Sequence, residues 1–364
     1  MKKKVAVGMS GGVDSAVAAL LLKKQGYDVT GFFIKFWSDP FCPIKKQNSC
    51  CNDESLRNAQ QVAFQLGIPF YAVDAKKLFK QSVVDDFIQE SGGYRTPNPC
   101  VRCNQLVKFG WFLDFAKSLG FDKVATGHYC NVKKGSGVFK LVKGKDPTKD
   151  QSYFLYRLKQ KQLSLVVFPV GKYEKKTVWK IANDNKIKIR AAKESQEICF
   201  IGDKDYRDFL KRYLPKKYFK SGALVDMAGN IVGKHNGLLN YTVGQRKGIE
   251  ITGIKGESKK PLYVVGFNVK KNQLVVGEDL LVYKKEMLLE DMSWMSEWAK
   301  KEASGLKSLR VSIRYHYKTI PCQIKKKQNK LLVTFNKPVR AITPGQSAVF
   351  YKGNTILGGG IITS

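Results

Sequence analysis

The chain has 364 residues, room for two or three domains, and its 43% hydrophobic content is ample for a core. Lys and Arg number 64 against 30 Asp and Glu, a formal net charge of +34. A field this positive attracts phosphate polymers, and such binding weakens steeply with salt. Biased base composition alone would also produce a Lys-rich surface. No apolar run reaches the length of a membrane span, and Met1-Lys2-Lys3-Lys4 leads into a short strand rather than a signal peptide's apolar region. The expected location is therefore cytoplasmic, with no membrane partner. The 8 cysteines are expected as thiols, thiolates or metal ligands rather than structural disulfides.

The first predicted strand, Val5–Met9, feeds a turn with two glycines, and a helical pattern follows at once from Val13 to Gln25. Gly26 closes that helix as a C-cap. Glycines let a backbone approach a phosphate closely, and the free N–H groups of a turn and helix start point at it. No Gly-Lys-Ser/Thr follows, so the turn is not a Walker loop. A carboxylate inside it, Asp14, makes sense when a metal ion bridges it to the phosphates. The other reading is an ordinary glycine turn. The Ser10-Gly11-Gly12-Val13-Asp14-Ser15 pattern resembles the pyrophosphatase loop of the PP-loop ATPases, which split ATP into AMP and pyrophosphate.

Further strands are expected at Val29–Phe36, Phe70–Val73 and Val124–Thr126, alternating with helices at Glu54–Leu66, Phe79–Glu90 and Gln105–Leu119. That order implies right-handed crossovers and a parallel sheet, with ligands at the carboxyl ends of its strands. After Lys204 a short helix at Tyr206–Tyr213 gives way to glycine-punctuated strands at Ala223–Asp226, Ile231–Val232, Leu262–Phe267 and Leu274–Val276. From Glu286 the runs Val311–Tyr317, Leu331–Phe335 and Ala348–Tyr351 suggest a small antiparallel barrel. The fold class is thus α/β, with a parallel-sheet domain at 1–205, a small central mixed domain at 206–285 and a C-terminal antiparallel β-barrel at 286–364.

Two cysteine features stand out. In Thr96-Pro97-Asn98-Pro99-Cys100-Val101-Arg102-Cys103-Asn104 the prolines are expected to pin an extended loop just before the helix from Gln105. A helix start and Arg102 would together favour a reactive thiolate at Cys103. The second is Cys199, at the end of the polar run Glu194-Ser195-Gln196-Glu197; beside Phe200 and Ile201 a lone thiol is ordinarily core filler. A Cys-x-x-Cys pair also reads as half a zinc site, but no second pair with the right spacing follows.

Seven motifs then appear in order: Gly8–Ser15, Thr96-Pro97-Asn98-Pro99, Ala125-Thr126-Gly127-His128-Tyr129, Lys149-Asp150-Gln151-Ser152-Tyr153-Phe154-Leu155, Ile198-Cys199-Phe200-Ile201-Gly202, Gly244-Gln245-Arg246-Lys247-Gly248 and Thr343-Pro344-Gly345-Gln346-Ser347-Ala348-Val349. Nearly from end to end the chain resembles the bacterial tRNA-specific 2-thiouridylases, the MnmA family. The resemblance implies an N-terminal PP-loop (adenine nucleotide α-hydrolase-like) domain and a tRNA-uridine 2-sulfurtransferase. Such an enzyme adenylates the C2 oxygen of the wobble uridine with ATP and Mg2+, then delivers sulfur from a cysteine persulfide, releasing AMP and pyrophosphate.

By matching motif, Cys103 and Cys199 would be catalytic, Cys199 carrying the persulfide, and a disulfide between them would follow transfer. Gly8, Met9, Ser10, Gly11, Gly12, Val13, Asp14 and Ser15 would hold ATP, with Ile34 and Gly127 at the adenosine. Asn98, Pro99 and Cys100 would line the target base, and His128, Lys149, Asp150, Gln151, Arg314, Tyr315 and Gln346 would touch tRNA. Without the family, Arg314-Tyr315 reads as alternating strand positions and His128 as a structural hydrogen-bonder. The tRNA partners implied are those for Lys, Glu and Gln, and the sulfur donor protein is a cysteine desulfurase or a relay protein.

One departure matters. Many family members carry Asp where this chain has Cys100, and a thiol is a poorer general base. Two readings stay open: Cys100, Cys103 and Cys199 ligate an iron–sulfur cluster with one open iron, or Cys100 is an extra redox partner. Cys42, Cys50 and Cys51 fall in an insert-like polar stretch, read as loop thiols or a metal site. Rival functions are another PP-loop ATP-pyrophosphatase ligase, which would need a glutaminase domain or a small-acid pocket, and a non-catalytic RNA-binding protein.

Overall fold

Strand and helix alternate from the start of the chain, as the hydrophobic pattern requires. In this computed structural model residues 2–41, 53–135, 137–189, 198–201, 205–251, 261–306 and 309–364 are described. The strands of the first domain are β1 (Lys4–Gly8), β2 (Asp28–Lys35), β3 (Phe70–Asp74), β4 (Lys123–Ala125), β5 (Cys130–Gly135), β6 (Val138–Lys143) and β7 (Val166–Val167). Five of them make a parallel sheet in the order β3-β2-β1-β4-β7, with Val5 paired to Val29 on one side and to Lys123 on the other. Helix α1 (Val13–Lys24) is buried on nearly all sides, which its run of Ala, Val and Leu permits. Gly26 follows it at φ +84°, as expected of a residue that ends a helix in the left-handed region. Helix α2 (Asp53–Leu66) buries an apolar stripe of Ala59, Val62, Ala63 and Leu66.

The next helical stretch runs further than its periodicity suggests. Helix α3 (Lys76–Phe79) passes through a π turn at Lys80–Val84 into α4 (Asp85–Gly92). The stretch after it corrects the expectation of an extended loop up to Gln105. Helix α5 (Pro99–Arg102) begins at Pro99, continues through a π-helical segment at Cys103–Trp111 and ends as α6 (Phe112–Ser118). Proline at the first helical position loses no hydrogen bond, because that N–H has no partner inside the helix anyway. The Cys-x-x-Cys pair therefore lies within the first turns of the helix. Helices α7 (Gln160–Leu163) and α8 (Lys175–Asp184) complete the domain, and α9 (Tyr206–Tyr213) leads out of it.

The central strands are β8 (Gly222–Val225), β9 (Ile231–His235), β10 (Glu250–Ile251), β11 (Tyr263–Asn268) and β12 (Gln273–Gly277). They form a mixed sheet in the order β10-β9-β8-β12-β11, in which only β8 and β12 run parallel. The last region contains β13 (Tyr283–Trp294), helix α10 (Glu297–Gly305), β14 (Arg310–Ser312), β15 (Ile320–Lys327), β16 (Lys330–Arg340), β17 (Ser347–Lys352) and β18 (Thr355–Ile362). These six strands pair antiparallel in the order β13-β16-β15-β14-β17-β18, and β13 pairs back to β18 to close a barrel. The run expected as a strand over Val311–Tyr317 stops at Ser312, and Arg314–Tyr317 is a loop with His316 at φ +57°. The β5–β6 hairpin, which sequence periodicity missed, joins the barrel sheet through Thr355 and Val142. Among the described residues no helix is long and apolar enough to cross a membrane.

One apolar cluster runs from Phe79, Phe109 and Phe112 through Tyr156 to Val349 and Phe350, so the first domain and the barrel share a core. Polar ties cross the same seam. Arg157 is buried at 5% exposure and donates from Nη2 to Asp291 Oδ2 (2.6 Å) and the Asp291 carbonyl (3.1 Å). The Tyr153 hydroxyl donates to the Ser347 carbonyl (2.8 Å), and Arg95 pairs with Glu290 (2.7 Å).

A second tie locks the segment after β2 to α9. The Asp39 side chain is fully buried and accepts from Arg212 Nε (3.1 Å) and Nη2, the Tyr213 hydroxyl (2.7 Å) and the Phe41 N–H (3.1 Å). Trp37 packs against Phe209 and Tyr213 beside it. Asp39→Ala is expected to destabilise the protein by about 3 kcal/mol, because it removes a fully buried carboxylate that accepts from Arg212, the Tyr213 hydroxyl and the Phe41 N–H. Thermal unfolding should show it as a fall in Tm of about 4 °C for a chain of 364 residues; a shift under about 1 °C would mean the network is marginal.

Candidate active site

The turn between β1 and α1 has a shape that only its own residues allow. Gly11 sits at φ +80°, and a Cβ there would collide with the Ser55 backbone of α2. Gly127, after β4, lies so close to α1 that a Cβ would stand 2.6 Å from the Asp14 carbonyl carbon and 2.7 Å from Ser15 N. Ser15 Oγ accepts from Ser10 N–H (3.1 Å) and donates to the Gly12 carbonyl (3.0 Å), which braces the turn from within. Gly12 caps α1 without a side-chain bond, so the first N–H groups of the helix lack a capping side chain. That arrangement suits an anion.

Asp14 is held from two sides. Tyr129 donates its hydroxyl to Oδ1 (2.6 Å), and Lys175 Nζ donates to both carboxylate oxygens (2.8 and 2.7 Å). The Lys175 ammonium thus stands at the carboxylate where a metal ion would bind. One carboxylate plus phosphate oxygens is a set Mg2+ commonly takes, and at 31% exposure the Asp14 side chain is accessible to it. Lys175 was not foreseen. The available signal was a lysine in the first turn of a helix, where the macrodipole disfavours a cation.

At the carboxyl edge of the sheet a cavity of about 330 Å³ joins this turn to the cysteines. Gly8, Met9, Ser10, Asp14 and Ser15 line it, with Ile34 and Gly127, and so do Pro99, Cys100, Cys103 and Cys199. Phe32, Phe33, Phe79 and Phe200 make much of its wall apolar. Cys103 is buried, Cys199 partly buried and Cys100 exposed. Arg102 forms an ion pair with Asp86 (3.1 Å). Among the described residues no group of three or more His, Cys, Asp or Glu side chains is placed to hold a metal ion. Cys100, Cys103 and Cys199 do not form such a group. Cys42, Cys50 and Cys51, and the run Glu194–Glu197, lie outside the described residues.

The loop that carries Asn98 and Pro99 is gripped by the barrel. Gln346 Nε2 donates to the Thr96 carbonyl (2.8 Å), and the Thr96 N–H donates to the Pro344 carbonyl (2.8 Å). Asn98 hydrogen-bonds the Tyr153 side chain, which itself reaches the barrel at Ser347. Three motifs quoted above are thereby fastened together.

Of the other residues expected to meet tRNA, two line the cavity. His128 is buried, hydrogen-bonded to Thr126 Oγ1 (2.7 Å) and flanked by Phe109 and Phe168. Burial, with Lys108 nearby, holds its pKa well below the ordinary histidine value, so the ring is neutral at physiological pH. Gln151 accepts from Tyr129 N–H (3.0 Å). Asp150 accepts from Gly144 N–H, Ser152 N–H and Ser152 Oγ, which folds its own loop. On the barrel, Arg314 lies over the Tyr317 ring (4.2 Å), and Tyr315 contacts Phe154 (4.3 Å) and His316 (3.8 Å). Exposed Lys325, Lys326, Lys327 and Lys330 crowd the β15–β16 turn.

Comparison with known proteins agrees with this geometry. Residues 3–203 match the family described as the tRNA methyl transferase HUP domain, 207–278 its PRC-barrel domain and 284–362 the aminomethyltransferase β-barrel domain. The chain is 42% identical to tRNA-specific 2-thiouridylase MnmA 2 of Clostridium tetani, over all of this chain and 99% of that one. It is 42% identical to tRNA-specific 2-thiouridylase MnmA of Clostridioides difficile, with coverage of 100% and 98%. With MnmA of Clostridium acetobutylicum the identity is 40%, and both chains are covered in full. A PP-loop turn and three thiols around one cavity, with relatives of this identity along the entire length, place the chain in the tRNA-specific 2-thiouridylase (MnmA) family.

Proposed function

We propose that this protein catalyses the ATP-dependent 2-thiolation of the wobble uridine, position 34, of tRNA. The observation that carries the reading is one cavity lined both by residues of the nucleotide turn, Gly8, Met9, Ser10, Asp14 and Ser15, and by Cys100, Cys103 and Cys199. Activation and sulfur transfer must act on the same carbon, so the two sets of groups have to face one base.

The 1–205 domain would bind ATP and carry the chemistry, 206–285 would connect, and 286–364 would contact tRNA. Residues Gly8–Ser15 would hold the phosphates through backbone N–H groups, with Ile34 and Gly127 beside the adenosine. Mg2+, held by Asp14, would neutralise phosphate charge as the C2 oxygen becomes bonded to the α-phosphorus and pyrophosphate leaves. Lys175 is the cation that would have to give up Asp14 for that. The base has to leave the anticodon stack to reach the cavity, where Asn98, Pro99 and Cys100 would line it. The terminal sulfur of a Cys199 persulfide would then bond to C2 as AMP departs. Cys103 thiolate would attack the Cys199 sulfur, leave the transferred sulfur on the uridine and end in a Cys103–Cys199 disulfide. A thiol reductant and a sulfur donor, a cysteine desulfurase or a relay protein, would reset the pair.

Lys149 and Arg314 suit phosphates, and Tyr315 suits a base or ribose. His128, Asp150, Gln151 and Gln346 would act from within the site, as walls and braces around the bound loop. Acceptors for Lys, Glu and Gln are the tRNAs proposed, and the cytoplasm is the location where they meet the enzyme.

Asp14→Ala is expected to lower tRNA-dependent pyrophosphate release by about 10²-fold or more, with tRNA affinity unchanged within about threefold, since the tRNA contacts lie elsewhere. Full release by this variant would sink the assignment. The log of tRNA affinity should fall linearly with log salt, and Lys149→Ala and Arg314→Ala should each reduce the slope by about one. A flat response would mean the +34 charge is merely solvated.

The thiol variants separate the two chemistries. Cys199→Ser and Cys103→Ser should both adenylate the uridine and form no 2-thiouridine, because a hydroxyl neither carries a persulfide nor resolves one. Cys100→Asp should stay active without iron on the persulfide route. Loss of bound iron and activity together in Cys100→Ser, from anaerobically purified protein, would instead establish a cluster.

A further inference from the structure

The helix that carries the cysteines also brings a cation to the cavity. Lys108 lines it, and among the described residues that do so it is the only Lys or Arg. It lies in the π-helical segment Cys103–Trp111, where the Phe112 N–H donates to the Val107 carbonyl, five residues back. An α-helix, at 3.6 residues per turn, would send Cys103 and Lys108 to different sides. The wider π register lets both line the cavity. Gly110 permits that register, because a Cβ there would stand 2.8 Å from the Gln105 carbonyl oxygen. Lys108 also lies toward the nucleotide turn. Burial, and with it the charge of Lys108, depresses the His128 pKa, so ammonium and ring are neighbours. His128 follows Gly127, which packs on the first turn of α1 at Asp14 and Ser15.

Both chemical steps of the proposed reaction put charge on one group that must lie between the turn and the thiols. First the uridine O2 bonds to the α-phosphorus, and the bond to the β-phosphate oxygen breaks with its electron pair leaving on pyrophosphate. Then sulfur bonds to C2, and the C2–O bond breaks with its pair leaving on AMP. The α-phosphate is anionic throughout and gains charge as AMP departs. Phe32, Phe33, Phe36, Phe79, Phe112 and Phe200 make the surrounding wall apolar, where an unmatched anion is costly and a fixed cation acts strongly.

We propose that the Lys108 ammonium binds the α-phosphate of the nucleotide, holding its charge while O2 displaces pyrophosphate and again as AMP leaves C2. Lys108 stays protonated through both steps and donates hydrogen bonds to a non-bridging α-oxygen. The π turn thereby serves one purpose, to put this cation and the Cys103 thiol on the same cavity from a single helix. This inference rests on the thiouridylase reading above.

The test is pyrophosphate release at saturating ATP and U34 tRNA. Lys108→Met, which keeps the apolar stem and removes the charge, should slow it by about 10²-fold or more, with tRNA affinity within about threefold of wild type. Lys108→Arg, which restores a cation suited to phosphate, should recover about tenfold or more of that loss. The readout that a structural role would not move uses α-thio-ATP, in which sulfur replaces one of the two non-bridging α-oxygens. Wild type should favour one diastereomer by about tenfold or more, and Lys108→Met by about threefold or less. Lys108→Gln serves if the methionine variant does not fold. Release within about threefold of wild type by Lys108→Met would overturn the proposal, and loss of 2-thiouridine alone would assign the cation to the cysteines instead. A slowed reaction with the diastereomer preference intact would overturn it and leave Lys108 a structural residue. If wild type releases no pyrophosphate with U34 tRNA, the thiouridylase reading itself falls and this inference with it, an outcome distinguished by the silence of the unmutated protein.

Discussion

Close backbone approach at the carboxyl edge of the parallel sheet is the constraint on which the site depends. Gly11 lies against Ser55, and Gly127 lies against the carbonyl of Asp14, each too near for any side chain. These two contacts press the strand ends, the first turn of α1 and the start of α2 into one surface. An anion loop needs its N–H groups exposed and converging, and a bulkier residue at either position would push the elements apart. The parallel order β3-β2-β1-β4-β7 puts the ends of β1 and β4 side by side, so the Gly8–Ser15 and Gly127-His128 segments share one edge.

The second half of the cavity is built differently, by a helix that the barrel holds in place. Pro99 starts the helix that carries Cys100 and Cys103. The loop before it is tied to the Thr343–Gln346 turn by two hydrogen bonds of 2.8 Å. Arg157 and Tyr153 extend the same seam through buried contacts. A barrel at the far end of the chain thus sets the position of a loop near residue 98. This gives the distant Gln346 motif a mechanical reason to accompany the cysteine motif.

Much of this was legible before the fold was known, and the failures have identifiable physical causes. The Gly8–Ser15 turn, the Gly26 stop and the antiparallel character of the C-terminal third follow from local rules, because each depends on residues close in sequence. The helix start at Pro99 is hidden from local rules, since two prolines in four residues signal extended chain unless one of them takes the first helical position. Arg314-Tyr315 read as strand because Val311 and Ile313 alternate, yet the chain turns at Ser312, whose hydroxyl donates to the Arg314 and Tyr317 carbonyls. Lys175 is invisible to local rules for a different reason: its meaning comes from Asp14, a partner 161 residues away in sequence.

The central claim is that one cavity serves both activation and sulfur transfer. Its most direct measurement is a single turnover of persulfide-loaded enzyme with ATP and U34 tRNA, with all products counted by mass spectrometry. The account predicts equal amounts of 2-thiouridine, AMP and pyrophosphate, and an equal amount of Cys103–Cys199 disulfide. Formation of ADP and phosphate, or 2-thiouridine formed without a Cys103–Cys199 disulfide, would contradict it.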